Sequence, residues 1–410
     1  MRFQVWRSPF RLFRRTLAKI WLKAFARLII VGVTGSFGKT SSVRAINQVL
    51  SIKFKTLQTD LNLDTIYNLP ITILSLRPRH QALVLEYGVD HVGEMDYHLS
   101  LVKPQIGVVT GITPVHSDSE LLGSLEGIIR EKSKLLKVLP KHGWAILNYD
   151  DASVRKMASE TQARIIWFGT NSHCDYWVDD IKVDYSGTKF TLHHNGEKMT
   201  VKIGLIGKHF VHSALIATAV GQIYKISIKD IIRALSELTP LQGRMSIEEG
   251  PEGTIILNDS LRANPASTIS GLETLVALPC KGRRVAVLGE MGELGKSAEE
   301  EHRKVGEKIA GLKIDFFVAV GPLQRFSAQE AINSGMPQGR VFIVNDVFEA
   351  SQVLKKILKK DDLLYLKASL LRHIERVIFL LRDEKVNCSQ SVCHFYKNCL
   401  FCPLLRKEAG

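Results

Sequence analysis

Apolar residues fall in short β-branched runs, each followed by a longer stretch with helical spacing, and the alternation repeats along nearly the whole chain. Residues 29–34, 82–86, 106–110 and 144–147 have the composition of buried strands, with helices expected after Lys39 and over 125–138. Alternation of this kind specifies a parallel α/β layer. From 174 to 203 the period shortens to two, with turn signals at Ser186-Gly187 and Asn195-Gly196, which predicts a small antiparallel excursion. Helical runs at 209–224 and 228–238 follow. After Thr239-Pro240 a second alternating series has strands at 255–257, 284–288, 316–320, 341–344 and 363–366. The expected organisation is a basic amphipathic segment at 1–30, a central domain with a parallel sheet at 31–239, a Rossmann-like α/β domain at 240–385 and a cysteine-rich tail at 386–410.

Composition changes this picture little. The 410 residues suit two cores better than one, and 45% hydrophobic with 23% charged residues is the balance of a folded chain. No run reaches the roughly 18 apolar residues of a bilayer-crossing helix. Charge is more informative, because of the net +14, eight positive charges (Arg2, Arg7, Arg11, Arg14, Arg15, Lys19, Lys23, Arg27) lie before residue 32 with no acid among them. The remainder is only mildly basic and carries no RNA- or DNA-binding module, so nucleic acid is not an expected partner.

Within that segment Leu17, Ile20, Trp21, Ala24, Phe25 and Leu28 recur at helical spacing, with cations on the other face and Phe3, Trp6, Phe10 and Phe13 upstream. Two readings stay open: a helix lying on an anionic membrane surface, or one whose apolar stripe packs on the domain that follows. Lys19, Lys23 and Arg27 interrupt the apolar positions and no small-residue cleavage site follows, so the segment is not a secretory signal. A cytoplasmic monomer is expected, peripheral at the inner membrane face under the first reading.

The sharpest chemical signal is Gly32-Val33-Thr34-Gly35-Ser36-Phe37-Gly38-Lys39-Thr40-Ser41, directly after a predicted strand and directly before a predicted helix. Glycines let the backbone turn and aim N–H groups at phosphate oxygens, and the helix N-terminus adds favourable partial charge. Lys39 is placed to reach the outer phosphates and the Thr40 hydroxyl to hold magnesium. Position 33 is Val where the general P-loop pattern has Gly.

This loop resembles the Thr-Gly-x-x-Gly-Lys-Thr/Ser form used by the Mur ligase superfamily, and further segments resemble it in the same order. Glu86 to Glu94 is similar to the magnesium-binding segment of the branch that adds D-alanyl-D-alanine. Lys103-Pro104, Thr110 and His116 resemble the segment whose histidine binds metal, and Lys132 occupies the place of the family's carbamylated lysine. Gly207-Lys208-His209, Gly243-Arg244, Asn258 to Pro265, Gly289 to Gly295 with His302, and Lys367-Ala368-Ser369 leading to Glu375 continue the match over about residues 30–380.

The resemblance implies an ATP-dependent ligase that makes a carboxylate an acyl phosphate and joins it to an amine. The implied donor is a UDP-muramyl peptide and the implied amine D-alanyl-D-alanine. It further implies magnesium at Thr40, Glu86, His116 and Lys132, with Lys39, Lys132, His116 and Glu86 as the catalytic set. Gly35, Ser36, Gly38, Lys39, Thr40, Ser41, Arg244, Asp259 and Asn264 are then ATP contacts.

The chemistry asks for the same residue types. Moving a γ-phosphoryl group onto a carboxylate crowds anions, so the site must supply cations. Lys132 as an ammonium would repel a metal, whereas as a carbamate it would help hold one. There are departures from the family pattern. Phe210, Ser213 and Gly111 replace asparagines, and Leu261-Arg262 replaces Tyr-Asn. Only 31 residues precede the loop where the family carries a UDP-binding domain, so the donor is expected to be held differently or to be a different molecule. Rival readings are a Mur-like ligase for another carboxylate, either poly-γ-glutamate synthase-like or acting in lipid-linked muramyl amidation, and a non-catalytic nucleotide-binding scaffold. His91 and His302 are expected to be structural.

Outside the resemblance, Cys388, Cys393, Cys399 and Cys402 fall within 15 residues. Four thiolates can hold zinc, with His394 as a substitute ligand, or an iron–sulfur cluster, and the spacing fits neither pattern closely. Unliganded thiols are the third reading.

Overall fold

The computed structural model describes residues 9–59, 65–113, 121–395 and 398–405. It divides into two units, with the main boundary between Leu238 and Thr239; segments 182–188 and 204–208 belong to the second.

The first unit runs α1 (Pro9–Leu22), β1 (Ile29–Thr34), α2 (Lys39–Leu50), β2 (Thr56–Gln58), α3 (Thr65–Leu74), β3 (Ala82–Glu86), α4 (Glu94–Leu99) and β4 (Ile106–Val109). It continues through α5 (Leu125–Lys137), β5 (Trp144–Asn148), α6 (Ala152–Met157), β6 (Arg164–Gly169), β7 (Tyr176–Asp184), β8 (Gly187–His194), β9 (Glu197–Ile203), α7 (Val211–Ile223) and α8 (Ile228–Ser236). Its strands form one sheet in the order β2-β3-β1-β4-β5-β6-β7-β8-β9. β2 to β7 pair parallel, the last junction resting on Phe168 opposite Tyr176 and Gly169 opposite Trp177.

Two-residue turns join β7 to β8 and β8 to β9, a connection open only to antiparallel neighbours. The predicted antiparallel excursion is thus an extension of the main sheet. β1 lies between β3 and β4, and Val31 and Val33 are wholly buried, as a strand covered on both faces requires. From β1 the chain passes to β2 and β3 on one side and then to β4 on the other. The carboxyl end of β1 is therefore a point where strand order reverses, the usual ligand position in such sheets.

α1 packs on α3 through one face. Ala18 is buried there, Arg11 bonds the Tyr67 hydroxyl, Arg15 bonds the Tyr97 carbonyl and the Ser100 hydroxyl, and the Trp21 indole donates to Leu76 O at 3.2 Å. Arg15 also lies 3.8 Å over the Tyr97 ring. Packing on the following domain is realised, yet Phe10, Phe13, Leu17 and Ile20 stand exposed on the opposite side, the first at 67%.

The second unit contains β10 (Ser246–Glu249), β11 (Ile255–Asp259), α9 (Pro265–Ala277), β12 (Arg284–Gly289), α10 (Ala298–Gly311) and β13 (Phe316–Val320). It ends with α11 (Gln324–Asn333), β14 (Val341–Val344), α12 (Val347–Ile357), β15 (Leu363–Lys367) and α13 (Arg376–Leu381). The sheet order is β10-β11-β15-β12-β13-β14, parallel except for β10. Val285, Val287, Val318, Leu364 and Leu366 from the sheet meet Val347 and Leu354 of α12 and Val377 and Ile378 of α13 in one core.

Candidate active site

The loop between β1 and α2 is shaped by two glycines in backbone conformations that L side chains rarely adopt. Gly35 has φ +146°, and a Cβ there would lie 2.0 Å from the Thr110 hydroxyl. Gly38 has φ +71° and precedes α2, whose first turn has neither a side-chain cap nor an acidic residue. Such a helix start presents N–H groups and partial positive charge to an anion.

The loop is braced from β4 and beyond. Ser36 N donates to Gly111 O at 2.7 Å, Thr113 N donates to the Ser36 hydroxyl at 3.0 Å, and the Thr110 hydroxyl bonds Thr34 O at 3.2 Å. Lys39 Nζ donates to Gly35 O at 2.9 Å, which curls the side chain back over the loop. Ser41 follows in the first turn of α2.

Glu86 ends β3 beside this loop, where its backbone N–H donates to the Thr59 hydroxyl at 3.1 Å. Its Oε2 accepts from the Thr40 hydroxyl at 2.9 Å, so two hard oxygen donors lie side by side at the start of α2. Lys132, on α5, is 1% exposed. Burial pushes its ammonium down to about 7, the charge of Lys39 pushes in the same direction, and Asp90, Glu86 and Glu94 oppose both. Lys39, Glu86 and Lys132 therefore share one electrostatic neighbourhood. His116 lies outside the described residues.

Two further acids join them. One ligand atom from each of Asp90, His91 and Glu94 lies within 4.8 Å of the others. Glu94 is buried at the start of α4, accepts from Asp90 N at 2.7 Å and His91 N at 3.1 Å, and is pushed up to about 8 by burial and then by Asp90. His91 Nδ1 sits 2.6 Å from Asp90 Oδ1. Sequence reasoning assigned Asp90 and Glu94 no role; the Asp-His-x-x-Glu spacing at 90–94 was the available signal.

In the second unit Asp259 closes β11, where its carboxylate pairs with Lys367 and accepts from the Tyr365 hydroxyl at 3.2 Å. Burial lowers the Lys367 ammonium, Asp259 opposes this, and the charge of Arg244 adds to the lowering. Arg244 thus belongs to the same group of charges. The pairing of Lys367 with Asp259 follows from their facing positions on adjacent strands, which the Lys367-Ala368-Ser369 motif by itself does not reveal. Asn264 caps α9, its side chain accepting from Ser267 N at 2.8 Å. His302 is wholly buried and structural: its Nε2 accepts from Met291 N at 3.2 Å and its Nδ1 meets Ala298 O at 2.6 Å.

The tail cysteines are free, and no three of them come together as ligands among the described residues. A four-thiolate centre is therefore not assembled. Cys399 instead stands with His373 and Glu375.

Residues 33–221 match the family model described as Mur ligase middle domain, and residues 243–370 that described as Mur ligase, glutamate ligase domain. The chain is 31% identical over 362 residues to the UDP-N-acetylmuramoyl-tripeptide--D-alanyl-D-alanine ligase of Bacillus subtilis, covering 88% of this chain and 77% of that protein. It is 32% identical over 303 residues to the enzyme of the same name from Escherichia coli, covering 73% and 66%. Among solved structures, MurF from Acinetobacter baumannii superposes with a TM-score of 0.82 at 27% identity, over 91% of this chain and 81% of that one. MurF from Thermotoga maritima in complex with ADP shares the fold at a TM-score of 0.79 and 24% identity, over 91% and 84%.

Proposed function

Because this chain belongs to the Mur ligase family of ATP-dependent carboxylate–amine ligases, we propose that it joins D-alanyl-D-alanine to the terminal carboxylate of a UDP-muramyl tripeptide. The observation that carries this reading is the meeting of Thr40, Glu86 and a buried Lys132 beside the phosphate-type loop of Lys39. It is an arrangement for neutralising anions that must be pressed together.

In this account the loop amides and the start of α2 hold phosphate oxygens, and Lys39 swings from Gly35 O onto the outer phosphates. Thr40 and Glu86 would hold magnesium as adjoining hard oxygen donors, and the family resemblance adds His116 and a carbamylated Lys132 to them. Magnesium there supplies Lewis-acid neutralisation of phosphoryl charge. Lys132 is suited to carbamylation because its burial favours the neutral amine, whose lone pair adds to carbon dioxide with loss of one N–H proton.

A donor carboxylate oxygen then attacks the γ-phosphorus and ADP departs, leaving an acyl phosphate. The dipeptide amine attacks the carbonyl carbon, loses a proton and expels phosphate. Arg244, Asp259 and Asn264 are the nucleotide contacts proposed for the second unit. A further partner is proposed for the exposed face of α1, an anionic membrane surface that its unbalanced cations favour.

Phosphate release from ATP, measured with purified protein against a panel of muramyl and other carboxylates and of amines, tests the assignment. Turnover is expected only when UDP-muramyl tripeptide and D-alanyl-D-alanine are both present. Equal turnover with glutamate and a folate-like or poly-γ-glutamyl donor would reassign the enzyme within its family.

A further inference from the structure

The tail cysteines play no part in the reaction proposed above, yet the tail needs something to hold it. Beyond Leu381, only Cys399 and Leu405 among the described residues enter a buried apolar cluster, with Phe379 of α13; Val386 and Cys402 pack partly covered beside it. A segment of about twenty residues with so small a core is ordinarily stapled by a disulfide or a metal. No cysteine here is in a disulfide.

The Cys399 thiol ends beside two buried side chains of the unit's body. One ligand atom from each of His373, Glu375 and Cys399 lies within 4.8 Å of the other two, and the residues are 1%, 1% and 5% exposed. Glu375 Oε1 faces His373 Nδ1 at 3.0 Å and accepts from Cys399 N at 3.0 Å. His373 Nε2 and Glu375 Oε2, by contrast, are buried with no hydrogen-bond partner. Orphaned polar atoms at this depth are rare in folded proteins, and a water or an ion is the usual missing partner. Cys402 packs partly covered beside this cluster but lies outside the three-residue group. Cys393 is held apart, its N–H donating to Leu371 O at 2.9 Å.

We propose that His373, Glu375 and Cys399 hold a mononuclear zinc ion that fastens the tail to the second unit, its fourth position left to solvent or to Cys402. One imidazole, one carboxylate and one thiolate are a donor set of intermediate softness that suits tetrahedral zinc, whereas an iron–sulfur cluster draws chiefly on thiolates. On binding, the Cys399 thiol releases its proton to solvent and keeps its sulfur electron pairs for the metal. The consequence reaches beyond the tail. Ser391 and Val392 wall a cavity of about 270 Å³ at the carboxyl ends of β12 and β13, together with Glu290, Arg372 and Arg376. Arg376 grips the tail through Cys388 O at 2.8 Å and Gln390 O at 2.7 Å. Losing the metal is expected to free that wall.

The test uses the full chain, purified without chelator, with metal content read by mass spectrometry and the absorption spectrum read after exchange to cobalt(II). One zinc per chain is expected, with the charge-transfer intensity of one or two thiolates and strong tetrahedral d–d bands from cobalt. His373→Ala and Cys399→Ser should each lower zinc content at least tenfold, while Cys393→Ser and Cys174→Ser retain it. Should a ligand variant unfold the tail, the spectrum of the unaltered chain still decides. Four-thiolate intensity, an iron–sulfur chromophore, or a folded chain that takes up neither zinc nor cobalt would each overturn the proposal.

Discussion

A lysine with 1% of its surface exposed and a second lysine in electrostatic range holds its proton poorly, and Lys132 is pushed down to about 7 from 10.5. In buffer free of carbon dioxide, the unfolded chain keeps this proton between about pH 7 and 10.5 while the folded chain releases it. Stability therefore rises with pH across that window and is lowest below it. Lys132→Met removes the penalty, so urea midpoints should show it more stable than the unaltered protein at pH 7, by a margin that shrinks toward pH 10. The same variant should lose at least about a hundredfold in turnover, and bicarbonate should raise the activity of the unaltered enzyme alone. Bicarbonate-independent activity would sink the carbamate.

The strand, glycine loop and helix start that carry Lys39 and Thr40 were legible because they are contiguous in the chain. Asp90 and Glu94 were not, since a carboxylate's environment depends on what α5 packs over it. The side-chain oxygen of Asn264 caps α9.

At the scale of elements, the parallel strands were written in their unbroken apolar runs, because both faces are covered. The fate of the 174–203 strands was less accessible. Their alternation specifies one covered face but not which sheet they join, and only two residue pairs make the β6–β7 junction. α1 carried two competing readings, and the structure shows the packing one, along a single side of the helix. Arg11, Arg15 and Ala18 bind it to the first unit, leaving Phe10, Phe13, Leu17 and Ile20 outward.

A helix anchored along one side cannot bury the other without a partner. Vesicle flotation should carry the full chain with vesicles containing phosphatidylglycerol but not with phosphatidylcholine alone, and less at high salt. Phe13→Glu with Ile20→Glu should abolish flotation while leaving ligase activity intact. Flotation unchanged by that pair of substitutions would remove the membrane surface as a partner of α1.

For the whole molecule, the net charge of +14 is a poor guide until it is located, since eight of the excess charges precede residue 32. No helix among the described residues is long and apolar enough to cross a membrane. The two α/β units were visible from their separate alternating series. The tail's packing partner was not, because His373 and Glu375 are brought to Cys399 by the segment that leads into α13 rather than by spacing within the tail.

Everything functional in this account depends on one chemical event, transfer of a phosphoryl group to the donor carboxylate before the amide forms. UDP-muramyl tripeptide labelled with ¹⁸O in its terminal carboxylate, incubated with ATP, magnesium, D-alanyl-D-alanine and the enzyme, reads that event directly in the ³¹P spectrum of the released phosphate. The account predicts one ¹⁸O per phosphate released. Amide product accompanied by unlabelled phosphate would contradict it.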